Sequence, residues 1–305
     1  MKLSTIVPIQ PLVPQIDYES KILCLGSCFA ENIGKKLQYY GFDTLINPFG
    51  IIFNPASLAT LLERSVNDEK FTEEDVESTF SYFAHSDLNG SNEEETVSNL
   101  NKALPLMRER IKNSSHIFIT LGTAWVYRHL DRDMFVANCH KQPQSAFSKQ
   151  LLTANQINLH LESIVEQVEK LNPDCTICIT LSPVRHLKDG HVENMRSKSR
   201  LHDAIQHQVD QGLQYFPAYE IVMDELRDYR FYKPDMIHLN ETGTDYVWLC
   251  FRESGINKNN YDTMNVVEKY QRLAAHRPKN PDLHRENVEV ARRDLLEKYP
   301  NLSLL

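Results

Sequence analysis

The sequence predicts an α/β protein: a mainly parallel sheet with helices on both faces, followed by a helical C-terminal extension. Three observations predict it. Short apolar runs alternate with long helical patterns, and each strong run stops at Gly or Ser-Pro. The segment from about residue 260 onward is helical in pattern and highly charged. Strands alternating with helices imply crossover connections that cover both faces of a parallel sheet. Irregular loops then gather at the carboxyl edge, where open α/β sheets bind their ligands.

The first strand is Lys21-Ile-Leu-Cys-Leu25, which stops at Gly26. A helical pattern follows from about Ala30 to Tyr40, with Ile33, Leu37 and Tyr40 on one face, so these pieces form half of a βαβ unit. A weaker strand at 44–46 leads into the turn Asn47-Pro-Phe-Gly50. Helices are expected at 55–66 and 97–112, with the acidic stretch 67–96 between them as surface loops. The second strong strand, His116–Leu121, ends at Gly122, and the third, Cys175–Leu181, ends at Ser182-Pro183. Further helices are expected at 153–171, 196–213 and 241–252. Residues 1–255 are thus expected to form one domain and 256–305 a helical extension, packed on the core or extended from it.

Composition narrows the function classes. Lys and Arg total 33 against 41 Asp and Glu, a net charge of −8, which argues against general nucleic-acid binding because that needs a basic field. Six cysteines in 305 residues are too few for a disulfide scaffold. The N-terminal stretch is broken by prolines and lacks a signal-peptide apolar core, and no run of apolar residues is long enough to span a bilayer. The expectation is a cytoplasmic protein with reduced thiols and no membrane partner; its oligomeric state stays open. Only ten glycines occur, about 3% against an average of about 7%. Four of them (Gly26, Gly50, Gly122 and Gly243) fall in the loops considered next.

Three strand-end loops carry the candidate chemistry. In Gly26-Ser27-Cys28-Phe29-Ala30, a nucleophile sits on a sharp turn at a helix N-terminus, whose partial charge favours a thiolate or an oxyanion. The bland alternative is a small-residue turn in which Ser27 caps the helix. In Asp235-Met-Ile-His238-Leu-Asn-Glu-Thr-Gly243, the carboxylate can hold one imidazole nitrogen and leave the other as general base, with Asn240 capping the next helix. Leu121-Gly-Thr123-Ala-Trp125, with Asn47-Pro-Phe-Gly50, can supply oxyanion donors.

The order of these blocks resembles the SGNH (GDSL-like) hydrolases, and the literal string Gly26-Ser-Cys-Phe-Ala30 resembles the signature of the GSCFA-domain family within them. Gly122-Thr-Ala-Trp-Val-Tyr127, Asn138-Cys-His-Lys141, Ser182-Pro-Val-Arg-His186, Ser197-Lys198 and Phe216-Pro-Ala-Tyr-Glu220 through Leu226-Arg-Asp-Tyr-Arg230 extend the likeness over roughly residues 20–255. The resemblance implies a three-layer α/β/α, flavodoxin-like fold and acyl-ester chemistry on a small-molecule or carbohydrate ester, with no cofactor or metal required. It places Cys28 at the nucleophile position, Ser27 where the family pattern has Asp, and Asp235 and His238 on the D-x-x-H. Gly50 becomes the oxyanion-hole glycine. The third-block Asn is missing, since that block reads Gly122-Thr-Ala-Trp125, and Thr123 or Asn47 would have to compensate.

Between the two nucleophile candidates, Cys28 is preferred over Ser27. A thiol at a helix N-terminus beside a His is expected to have a lowered pKa, and the neighbouring Ser27 would point elsewhere. Arg185, next to a strand end, is a candidate clamp for a carboxylate, phosphate or sugar acid. Arg227 and Arg230 are expected to pair with Asp224, Glu225 or Asp228. Cys175 and Cys178 are expected to point to opposite faces of one strand as core residues, with Cys24 and Cys250 as apolar fillers. Asn138–Lys141 is expected to be a structured loop, and His85 and His186 are left outside the catalytic set. A binding protein that has lost turnover is the competing class.

Overall fold

A computed structural model of the protein describes residues 5–304; the ends of the N-terminal stretch (1–4) and of the C-terminal extension (305) lie outside them. The chain runs β1 Lys21–Gly26, α1 Cys28–Tyr39, β2 Asp43–Ile46, α2 Pro55–Val66, α3 Glu93–Asn113 and β3 His116–Leu121. It continues through β4 Trp125–His129, β5 Met134–Val136, β6 Phe147–Leu151, α4 Ala154–Leu171, β7 Thr176–Leu181 and α5 His191–Asp210. The edge strand β8 Gln214–Tyr215, the short turn α6 Ala218–Glu220 and helices α7 Glu241–Gly255, α8 Tyr261–Ala275 and α9 Pro281–Lys298 complete it.

The main sheet has the order β2-β1-β3-β7-β8 with every neighbouring pair parallel. Counting only its own strands, this is the doubly wound 2-1-3-4-5 arrangement of the flavodoxin-like fold, whose order reverses between the first strand and the third. Period-two alternation explains how both faces are buried. Leu23, Leu25, Ile117, Ile119, Ile177 and Ile179 pack on one side with α2, α3, α4 and α5. Ile22, Cys24, Phe118 and Cys178 pack on the other side with α1 and α7. Cys175 touches the first layer and Cys178 lies in the second, so the two thiols do face opposite sides.

The helix starts follow from local sequence. Asn54 Oδ1 accepts the Ser57 N–H at 2.8 Å ahead of Pro55 at the first turn of α2. Thr153 and Gln156 form a reciprocal capping box on α4. One element was not expected from the sequence: β4, β5 and β6 make a separate three-stranded antiparallel sheet. The C-terminal extension packs on the body. Met264 of α8 enters the α1/α7 layer, Val267, Tyr270 and Leu295 form a satellite cluster with Leu302 and Leu304, and Ser303 N–H donates to Gly41 O at 2.8 Å.

Candidate functional site

The β1–α1 turn lies at the switch point, between β1 and β3. Gly26 has φ +123°, and a Cβ there would lie 2.1 Å from Thr120 O, so no other residue fits. Ser27 N–H donates to Thr120 O at 3.1 Å, and its buried hydroxyl caps α1 by accepting the Phe29 N–H at 3.2 Å. Cys28 is the first residue of α1 and is half-buried. The expected lowering of its pKa is not found. Burial pushes the thiol above its ordinary value and Glu31 adds to this; the N–H groups of Cys28 and Phe29 and the Lys198 charge pull it down by less. Desolvation of the thiolate outweighs the helix terminus.

The second loop is tightly organised. Asp235 Oδ1 accepts the N–H groups of Ile237 and His238 at 2.9 and 3.0 Å, and Oδ2 holds His238 Nδ1 at 2.8 Å. The His238 and Ile237 N–H groups, then the imidazole, bring the Asp235 carboxyl down to about 2, so it stays ionised. With Nδ1–H donated to Asp235, His238 Nε2 is left as the basic nitrogen. Asn240 caps α7, its Oδ1 accepting the Gly243 N–H at 3.0 Å, while its Nδ2 donates to Arg230 O at 2.6 Å.

The expected oxyanion donors are differently disposed. Gly50 N–H donates to Asn47 O at 2.7 Å, closing a turn. The buried Thr123 hydroxyl lies 2.9 Å from Ser197 Oγ and accepts the Trp125 N–H at 3.0 Å, tying the third loop to α5. Both groups are therefore engaged within the protein. Asn47 differs: its Oδ1 accepts the Gly26 N–H at 2.8 Å, and its buried Nδ2 has no partner among the described residues.

Two side chains outside the expected set join this neighbourhood. Lys198, 2% exposed on α5, donates Nζ–H to Ser182 O at 2.7 Å and pairs with no carboxylate among the described residues. Burial, then the Arg185 charge, lowers it to about 7, against the opposing pull of Cys28. His186 packs on Phe53 with ring centroids 4.8 Å apart, and its buried Nε2 has no partner among the described residues. Burial, then Lys198, brings this imidazole down to about 4, and His238 also acts on it. A Cβ at Gly122 would come within 2.9 Å of that nitrogen, so glycine lets His186 pack against the third loop. The Lys198 charge thus bears on both Cys28 and His186, and His238 bears on His186. A sequence signal for Lys198 existed: Asn194, Ser197, Lys198, Leu201, Ala204 and Ile205 form the buried stripe of α5, and a lysine on such a stripe is exceptional.

The remaining candidates have structural roles. His140 places Nε2 2.9 Å from Ser81 O and stacks on Phe80 at 4.5 Å, which makes Asn138–Lys141 a structured loop. His85 sits against Gly50 and caps a short turn, accepting the Asp87 N–H. Arg227 pairs with Asp224 at 3.0 Å and Arg230 with Asp228 at 2.9 Å. Arg185 pairs with no carboxylate among the described residues.

No curated protein matches the chain. Residues 21–251 match the GSCFA family, a span that runs from β1 into α7 and contains the Cys28 turn, the third loop and the Asp235–His238 turn, so the protein belongs to the GSCFA family.

Proposed function

We propose that this GSCFA protein is an SGNH-like acyl-ester hydrolase or acyltransferase with Cys28 as nucleophile, His238 as proton shuttle and Asp235 as its orienting carboxylate. The observation that carries the reading is the Asp235–His238 turn: one carboxylate fixes both the backbone of the turn and Nδ1 of the imidazole at 2.8 Å. The half-buried Cys28 at the sheet's switch point supplies a thiol, whereas the Ser27 hydroxyl is spent on capping. In the reaction, His238 Nε2 takes the thiol proton as sulfur attacks the ester carbonyl. The tetrahedral intermediate collapses with cleavage of the C–O bond, and the imidazolium returns its proton to the leaving alkoxide. Water or an acceptor alcohol, deprotonated by His238, then releases the acyl group from the thioester. Because burial raises the thiol, this proton transfer is needed for attack, and the Lys198 charge favours the thiolate that forms. The Cys28 N–H and the unpartnered Asn47 amide are the oxyanion donors in this reading. O-acetylated carbohydrate is the proposed substrate class and the cytoplasm the proposed location. No helix among the described residues is long and apolar enough to cross a membrane.

A second reading, a ligand-binding protein without turnover, is favoured by the engaged Gly50 N–H and Thr123 hydroxyl, since losing one oxyanion donor costs about 10²–10³ in rate. Assays with 4-nitrophenyl acetate and acetylated sugars separate the two. Cys28→Ala and His238→Ala are expected to lose essentially all turnover, with acyl-enzyme trapped on wild-type Cys28. If neither substitution changes the rate, the catalytic reading fails.

A further inference from the structure

Arg185 follows the Ser182-Pro183 end of β7 and lines a cavity of about 350 Å³. Val222, Met223 and Leu226 give it an apolar wall, and Tyr229 and Tyr232 add two phenol rings. Met236, from the turn that carries His238, also lines it; Cys28 and His238 themselves do not. Such a volume and mixed lining suit a small organic ligand.

The charges around the cavity do not balance. Asp228 is neutralised by Arg230 at 2.9 Å, and Arg227 by Asp224 at 3.0 Å. Arg185 has no carboxylate partner among the described residues. Its one acceptor among the described residues is the Met223 thioether at 2.8 Å, a weak acceptor for one of five guanidinium donors. The Arg185 charge also reaches buried Lys198, which has no carboxylate partner among the described residues. Arg185 thus stands as an uncompensated cation at the cavity in a chain of net charge −8. An overall negative field repels anions, so an anionic ligand needs local positive charge of this kind.

We propose that this cavity is an organic-anion site in which Arg185 clamps a carboxylate or phosphate group and the apolar wall takes the carbon body. A planar guanidinium with free donors matches either group bidentately. In an extension that rests on the hydrolase reading, the anion is part of the acyl ester, held beside the His238 turn; binding itself does not depend on turnover.

Two measurements keep these claims apart. In calorimetric titrations of the full chain, succinate and inorganic phosphate are expected to bind both wild type and Cys28→Ala, and about 10- to 100-fold more weakly to Arg185→Gln, the loss expected for a charge-assisted contact. Arg185→Lys, which keeps the charge without the fork, should bind with intermediate strength, and this gradation distinguishes a lost clamp from a damaged fold. Tighter succinate identifies a carboxylate site, and tighter phosphate a phosphate site. No binding of either, or equal binding by Arg185→Gln, overturns the site. In turnover, the mono-4-nitrophenyl ester of succinate should outpace 4-nitrophenyl acetate in kcat/KM, and Arg185→Gln should collapse that preference. Succinate binding without hydrolysis of either ester would sink the hydrolase reading and leave the anion site standing.

Discussion

Lys198 is the residue whose chemistry departs furthest from its sequence context. A lysine in the core-facing stripe of α5 bears a desolvation cost that its one hydrogen bond, to Ser182 O, does not remove. Its folded pKa of about 7 lies below the ordinary 10.5. Between those values the unfolded chain holds a proton that the folded chain has released, so stability rises with pH across that window. The penalty is complete below about pH 7 and gone above the ordinary lysine value. The charges that bear on it are Arg185, which sharpens the penalty, and Cys28, which eases it; neighbouring His186 responds to the same charge. Denaturant unfolding at pH 6 and pH 9 should therefore show wild type gaining stability with pH relative to Lys198→Met, at up to about 1.4 kcal/mol per pH unit. Parallel profiles for the two proteins would mean that Lys198 keeps its proton throughout.

At the scale of elements, the β1–α1 junction explains why adjacent Ser27 and Cys28 differ in role. Gly26 takes a backbone conformation and a closeness to β3 open only to glycine, which turns the chain so that Ser27 becomes the N-cap and Cys28 the first helical residue. Ser27→Ala is accordingly expected to lower stability by about 1 kcal/mol, the ordinary cost of a lost cap, while retaining acyl-enzyme formation on Cys28. Trapping of the acyl group on Ser27 in wild type would reverse the assignment. The strong strands and capped helices were legible because each carries its own local signal: alternation in β1, β3 and β7, and Asn or Thr caps before α2, α4 and α7. The antiparallel sheet was not legible. Its strands are half-buried and carry Arg128, His129 and Lys149 among their aromatic residues, so no apolar period marks them; pairing with one another holds them in place.

For the whole molecule, the boundary expected at residue 255 coincides with the end of α7 but not with a break in packing. Met264 enters the α1/α7 layer, Gln271 Nε2–H donates to Tyr39 O at 3.0 Å, and Ile256 is fully buried beside Ile16. A chain ending at Gly255 is expected to lose roughly 2 kcal/mol for each buried side chain removed, Ile256, Met264 and Val267 among them, and to unfold at markedly lower temperature. An unchanged melting temperature would make residues 1–255 an independent unit. Pattern and local chemistry in the sequence determined the α/β class, the places of the main strands and helices, the family, and the turns holding Cys28 and the Asp235–His238 pair. These are properties of short segments, dictated by periodicity, capping and the geometry of a few glycines. Only the tertiary structure decided the electrostatics. Burial raised the Cys28 thiol where the helix terminus alone predicts lowering, and folding α5 against β7 buried Lys198 within reach of the Arg185 charge, with no carboxylate partner for either among the described residues. Desolvation depends on everything packed around a group, and no local stretch of sequence carries it.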